Sequence, residues 1–538
     1  MHARPPVIVL EAGSTVGGRV AQLHGFAPWP LQLGAEFVHG GENNVLVRLF
    51  ERLRWSYRTL EWPDRYYFGT RRDTENDDDD EPNTKREHET TTRRDESLRG
   101  IVDAETAEAH PDVAEAHRLL ADLPETPWVL TDAEDSNTQK KNPSQISIDD
   151  LECASTKHVD CTALEWLKDR VKASKRVVAV AENVYANDFG CSLSTMGLRE
   201  TAVEQREWCH GEEYILLDKG RHLGNLTAEI GKGLDVRLNT VASKVEWRWK
   251  QTRSEGETES ENGAKTVVTT RCGKSFRASA AIVVAAPVSA LKESHWSPAF
   301  ATKLAFDPPL PRAKRDAIES IQMSDAVKIC LAFSERFWPE DVWNVVCCDA
   351  FLPECWMLEY ETEDDGGAGD DVAGRAIVTF FACGETAKAV ARRIREDPEG
   401  GEAGVVHQAL AQLDAMFGGE KKAGGDAAKL AAPASNAFVA AKTFPWSAVA
   451  SVGGAYTHPS VYAAGARREL RKPAYEGALF FAGEAANVKC NPCMQGAVTT
   501  GLEAAAAAAA ARAARTGTPL PDGFGQEDWF VEGFGSDD

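Results

Sequence analysis

Residues 7–20 read VIVLEAGSTVGGRV, and this stretch decides the fold class. Val7-Ile8-Val9-Leu10 is a continuous apolar run, the pattern of a parallel strand buried on both faces at the centre of a sheet. Glu11 stands at its carboxyl end, where doubly wound α/β folds place an acid that hydrogen-bonds a ribose. Gly17-Gly18-Arg19 follows, a glycine turn with a guanidinium beside it. In such folds the acid belongs to the second strand, and a first strand with its Gly-x-Gly-x-x-Gly turn is expected about 20 residues upstream. The chain has no such turn after a strand; GGAGDDVAG (366–374) has the wrong spacing. Either the start lies downstream of the natural one or a first βα unit is lost, and the retained motifs favour an incomplete start.

With 538 residues, 43% of them hydrophobic and 27% charged, the chain suits two or three soluble globular domains. A net charge of −23 argues against nucleic-acid binding, which needs a basic surface. The same charge would steer cationic substrates such as polyamines, or merely aid solubility. Twelve cysteines without a secretory signal point to free thiols and a cytoplasmic location. No run reaches the roughly 18 apolar residues of a membrane span.

Residues 70–148 are expected to be a disordered polar insertion, too hydrophilic to offset its ordering entropy and interrupted by a helical patch, DVAEAHRLLADL. Helical patterns run from CTALEWLKDRV to about Arg199. EEYILL, LDVRLNTVASKVEWRW and KTVVTT read as strands, with GETESENG as a hairpin loop. LFFAGEAA is a buried strand, and MQGAVTTGLEAAAAAAAARAA an alanine-rich helix. Both ends of the chain read as apolar strand, acid, glycines and helix. This predicts an α/β fold whose Rossmann-like dinucleotide domain is discontinuous (1–47, 213–291 and 440–515). A second α+β domain takes 48–212 and 292–439, and 516–538 form a flexible tail.

Four stretches carry a family resemblance: VIVLEAGSTVGGRV, LGAEFVHGGENN, AVKICLAFSERFWP and LFFAGEAANVKCNPCMQGAVTTGLEAA. ANDFGCSLSTMGLRE, VVAAPVSALK, FDPPLPRAKRDAI and WSAVASVGGAY support it. Their order and spacing resemble the flavin-containing amine oxidases, nearest the polyamine oxidases. The resemblance implies an FAD-binding amine oxidase domain. Within it, Glu11 would bind the adenosine ribose, Gly17, Gly18 and Arg19 the pyrophosphate, and the backbone of Val241 the adenine. Glu484 would face the ribityl-phosphate region, and the helix starting at Met494 and Gln495 would direct its unpaired amides at the flavin. Trp446 would lie near the flavin, while His39 and Tyr456 would lie near the substrate amine.

Lys328 is the sharpest single residue. Strand alternation puts Val327, Ile329, Leu331 and Phe333 on one face and Lys328, Cys330 and Ala332 on the other, where small neighbours leave room for a flat ligand. An edge-strand lysine is the plain alternative. The resemblance implies instead a catalytic lysine holding a water at flavin N5, with desolvation favouring its neutral form.

VKCNPCMQGA departs from the family pattern, which often has a substrate-cage aromatic there. Cys490 and Cys493 could be a redox pair or half a metal site, but without a second CxxC two plain thiols and no metal are expected. The expected function is FAD-dependent oxidation of a small polyamine-like amine, with O2 as acceptor and H2O2 as product. The alternatives are a non-catalytic flavin-fold protein and a histone-lysine demethylase-like enzyme; the latter is opposed by the lack of sustained heptads between Phe306 and Trp446.

Overall fold

The computed structural model of the chain describes residues 7–69, 99–121, 123, 160–248, 265–278, 280–294, 303–360, 376–398, 400–419, 431–517, 519–520 and 522–534. Strand β1 (Ile8–Leu10) pairs in parallel with β2 (Asp235–Arg237). Strand β3 (Ile282–Val284) pairs in parallel with Leu479–Phe481. Segments about 200 residues apart in sequence thus meet as neighbours, because parallel pairing requires crossover connections.

The expectation of a central, doubly covered β1 is corrected. Among the described residues β1 pairs with β2 alone, and Val7 and Ile8 remain 61% and 45% exposed. An apolar run marks side chains fit for burial; burial itself needs material on both sides.

A seven-stranded sheet forms the largest layer. Its second strand from one edge is β4 (Ala326–Phe333), antiparallel both to β5 (Ala376–Cys383) and to the edge strand β6 (Phe438–Pro445). All eight β4 residues are buried. Val327, Ile329, Leu331 and Phe333 enter one apolar core with Phe380, Val405, Ala409 and Leu413. Cys330 and Ala332 enter another with Trp29, Trp356 and Tyr360. Each large apolar side chain buried this way contributes about 1.5–3 kcal/mol. Lys328 is therefore on an inner strand rather than an edge. The sequence boundary at residue 440 falls inside β6.

Residues 99–121, read as part of a polar insertion, are folded: Gly100–Asp103 is a strand of this sheet, and Pro111–Leu120 is a helix burying Val113, Ala116, Leu119 and Leu120. The rest of that span, and the GETESENG loop, lie outside the described residues. The tail expectation is also corrected. With α1 (Val45–Arg52), α2 (Leu198–Glu207) and α3 (Met494–Thr516) preceding it, Glu527–Glu532 forms a further helix, α4. Its Val531 and Phe530, with Phe534, pack into the core of α1, while Arg48 pairs with Glu527 and Asp528. Arg52 Nε donates to the carbonyl of Phe534 at 2.6 Å. Apolar spacing and charge complementarity fix this segment. No helix among the described residues is long and apolar enough to cross a membrane.

Candidate active site

Eleven of the twelve predicted site residues line one cavity of ≈ 2850 Å³. That exceeds the roughly 300–1,000 Å³ of a usual small-molecule site. Gln495 does not line it; its buried side chain donates to the carbonyl of His39 at 2.9 Å and braces that residue from behind.

At one end, Glu11 closes β1. Its backbone is tied to Arg237 and Thr240, and its Oε1 accepts from the amide of Gly13 at 2.6 Å. The next turn carries Arg19 into the cavity. Gly17 has φ +103° and packs so closely on Thr227 that a Cβ would lie 2.9 Å from its hydroxyl. Arg19 Nη1 donates to Glu484 Oε1 at 2.6 Å and to the carbonyl of Ala455 at 3.0 Å. Val241 adds a backbone position beside them, its carbonyl accepting from the amide of Arg271.

Helix α3 starts at Met494 without a side-chain cap on its first turn. Cys493, Met494 and Ala497 line the cavity, so a positive helix end faces it. Trp446 is held by its indole N–H, which donates to the carbonyl of Leu33 at 3.0 Å. Tyr456 packs against Gly190, where a Cβ would come within 1.9 Å of the ring.

Lys328 corrects the expectation of a neutral amine. Its Nζ donates to Glu36 Oε2 at 2.7 Å and to the carbonyls of Gln32 and Gly34 at 2.8 and 2.9 Å. Three acceptors around one nitrogen match the three donors of an ammonium. Glu36 is held in turn by Tyr360 Oη at 2.6 Å and Trp356 Nε1 at 3.1 Å. The ammonium also lies 4.9 Å from the centre of the Trp356 ring, a cation–π contact.

Two carboxyl groups enter the same cavity. Tyr214 Oη donates to Asp188 at 2.9 Å, and Trp62 Nε1 donates to Glu354 at 2.7 Å. The two rings stack at 5.4 Å, and His39 meets Tyr214 edge-on at 4.6 Å. Enclosure by protein pushes Asp188 up to about 6 and Glu354 up to about 7, their hydrogen-bond donors acting the other way. Burial lowers His39 to about 4, so the imidazole is neutral at pH 7. Aromatic groups absent from VKCNPCMQGA are thus supplied by Trp62 and Tyr214.

The family model described as flavin containing amine oxidoreductase matches residues 1–509. The chain belongs to that family. Polyamine oxidase 2 of Arabidopsis thaliana is 33% identical over 111 residues, 21% of this chain and 18% of that protein. Lysine-specific histone demethylase 1B of Mus musculus is 22% identical over 315 residues, 56% of this chain and 32% of that protein. The matches thus span less than a third of the length of either curated relative. Among solved structures, a redesigned putrescine oxidase has a TM-score of 0.60 at 16% identity, covering 94% of this chain and 93% of that one. Cyclohexylamine oxidase from Brevibacterium oxydans IH-35A has a TM-score of 0.60 at 17% identity, covering 93% of both chains. At such identities the structures show the fold.

Membership in the flavin amine oxidoreductases implies a flavin cofactor, and the side chains here fit one. Glu11 offers a carboxylate for a ribose diol, Arg19 a guanidinium for phosphate, and α3 open amides for a group that gains negative charge. Reading the sequence missed Glu36, Asp188, Glu354 and the Trp62–Tyr214 stack. Glu354 had a legible signal, a lone acid in the apolar run FLPECWML. Asp188 and Glu36 sit inside motifs already quoted, but their importance depends on who faces them.

Proposed function

We propose that the protein is an FAD-dependent oxidase of a small cationic amine, passing electrons to O2 and giving H2O2. The observation that supports it is the convergence of Glu11, Lys328 and the uncapped start of α3 on one cavity. FAD, when bound, supplies the acceptor for a hydride from the carbon bearing the amine and returns the electrons to oxygen.

The chain's residues do the rest. Asp188 and Glu354 attract the substrate ammonium, and a carboxylate that titrates near neutrality can take the proton that must leave nitrogen before hydride departs. Neutral His39 offers a hydrogen-bonding nitrogen beside them. The stacked Trp62 and Tyr214 exclude water and stabilise a cation over their faces. Lys328, its three N–H donors taken up by Glu36, Gln32 and Gly34, sets its charged group at the cavity wall, where the field of that group assists at the flavin's reactive edge. A cytoplasmic location agrees with the free thiols.

The test is anaerobic mixing of the FAD-loaded chain with putrescine, spermidine or cyclohexylamine, with a methyl-lysine histone peptide as a further arm. Bleaching of the flavin absorbance by an amine, and peroxide on readmitting air, support the reading. A bound yellow flavin that none of the small amines bleaches overturns it. Bleaching by the histone peptide alone favours a demethylase. A chain that stays colourless with added FAD would favour a non-catalytic flavin-fold protein instead.

A further inference from the structure

Five side chains form one chain of hydrogen bonds from α2 to the cavity. Glu200 Oε1 accepts from Arg467 Nε at 2.5 Å. Arg467 Nη1 donates to Thr457 Oγ1 at 2.8 Å, and Thr457 donates to Glu484 Oε2 at 2.5 Å. Glu484 Oε1 then accepts from Arg19 Nη1 at 2.6 Å. Glu200, Arg467, Thr457 and Glu484 are 7%, 3%, 0% and 4% exposed, so the first four members are buried. The ends are anchored as well: Glu200 Oε2 accepts from the amide of Ser460 at 2.5 Å, and Arg467 Nη2 donates to the carbonyl of His458 at 2.9 Å. Asn491 Oδ1 also lies 2.8 Å from the Thr457 hydroxyl, but the carboxylate is the stronger acceptor for its one proton.

This arrangement changes what Glu484 does. Both of its oxygens are held by protein donors, Thr457 on one side and Arg19 on the other. Arg19 is the more open of the two: its side chain is 26% exposed against 5% for Glu484, and its Nε and Nη2 make no hydrogen bond among the described residues. A free arginine loses much rotamer freedom when it grips an anion. One clamped beforehand loses less, and binds correspondingly better.

We propose that Thr457, Arg467 and Glu200 are positioning residues that act through Glu484 to hold the Arg19 guanidinium in the orientation that binds the phosphates of a dinucleotide. The inference rests on the flavin dinucleotide reading above. It makes Glu200, an α2 residue that does not itself line the cavity, part of the cofactor anchor.

The test is a double-mutant cycle on FAD affinity, read as fluorescence quenching when FAD is titrated into the full chain freed of flavin. Thr457→Val keeps the shape and removes the hydroxyl; it is expected to weaken FAD binding about tenfold, the scale of one hydrogen bond to a charged group. Thr457→Ser is expected to bind as the parent does. Arg19→Met should lose at least as much as Thr457→Val. Adding Thr457→Val to Arg19→Met should cost less than about twofold more, because the relay then has nothing to position. Parent-like binding by Thr457→Val, or losses that multiply in the double variant, overturns the proposal; the second result marks a merely structural role. Failure of the unsubstituted chain to bind FAD overturns the dinucleotide reading and this inference with it. Should Thr457→Val not fold, Glu200→Gln completes the same cycle from the far end of the relay.

Discussion

Lys328 and Glu36 form a buried ion pair, Nζ to Oε2 at 2.7 Å, with side chains 4% and 7% exposed. The pair joins an inner strand of the large sheet to the segment that carries His39, and it is held by Tyr360, Trp356 and two backbone carbonyls. Such a pair is costly to bury, and its worth shows when one partner is removed.

Glu36→Leu is expected to lower unfolding stability by about 3–5 kcal/mol, since it strands a buried ammonium. Lys328→Met should destabilise through the stranded carboxylate. The double variant should lose less than the sum of the two, as urea unfolding would register. In the FAD-loaded chain, Lys328→Met should also slow amine-driven bleaching at least about tenfold, the scale on which a lost charge at a reacting centre acts. An unchanged bleaching rate would remove Lys328 from the reaction.

Two of the carboxyl groups that line the cavity, Asp188 and Glu354, predict a pH dependence. Their folded values, about 6 for Asp188 and about 7 for Glu354, lie above the roughly 4 of unfolded carboxyls. The folded protein therefore binds more protons than the unfolded chain between pH 4 and 7. These groups make stability fall as pH rises through that window. Substrate binding should run the other way, KM for putrescine falling as the pair ionises between pH 5 and 8. Glu354→Gln should erase the upper part of that KM change in steady-state assays.

His39 has the opposite linkage. Its folded value near 4 lies below the unfolded 6.5, so it favours the folded state above pH 6.5, and that contribution is lost as pH falls from 6.5 towards 4. His39→Asn removes this titration, so the variant should lose less stability than the parent as pH falls from 6.5 towards 4, which denaturant titrations at several pH values would show.

Gly34 sits where the turn that carries Arg19 meets the segment leading to Glu36. A Cβ there would lie 1.8 Å from the carbonyl of Arg19, and the carbonyl of Gly34 itself accepts from Lys328. Gly34→Ala is expected to cost about 1–3 kcal/mol of stability. It should also weaken FAD binding, because it displaces the turn that carries Arg19.

Removing residues 527–538 should lower the melting temperature by several degrees, since the buried Val531 and its neighbours are worth about 1.5–3 kcal/mol each. Flavin affinity should stay unchanged. A truncated chain that melts with the parent would show that α4 adds nothing to the fold.

Much of the site was legible in the chain. Val327 to Phe333 alternate between two cores as period-two spacing requires, and the small Cys330 and Ala332 flank Lys328. The acid after LFF and the start of α3 stand where the pattern of strand, glycine and alanine-rich helix put them. The error over the last residues has a clear cause. Phe530, Val531 and Phe534 are too short a run to signal a helix, and only the basic face of α1 makes one worthwhile.

Sequence alone determined which local elements form and which faces they bury, because propensity and hydrophobic period act within a few residues. It also placed the acids, glycines and lysine at element ends or on inner strands. Only the tertiary structure decided which of them act on one another: that Lys328 is charge-paired, that Glu484 serves Arg19, and that Asp188 and Glu354 share a cavity. A charge's state and reach depend on neighbours hundreds of residues away, and no local pattern carries that information.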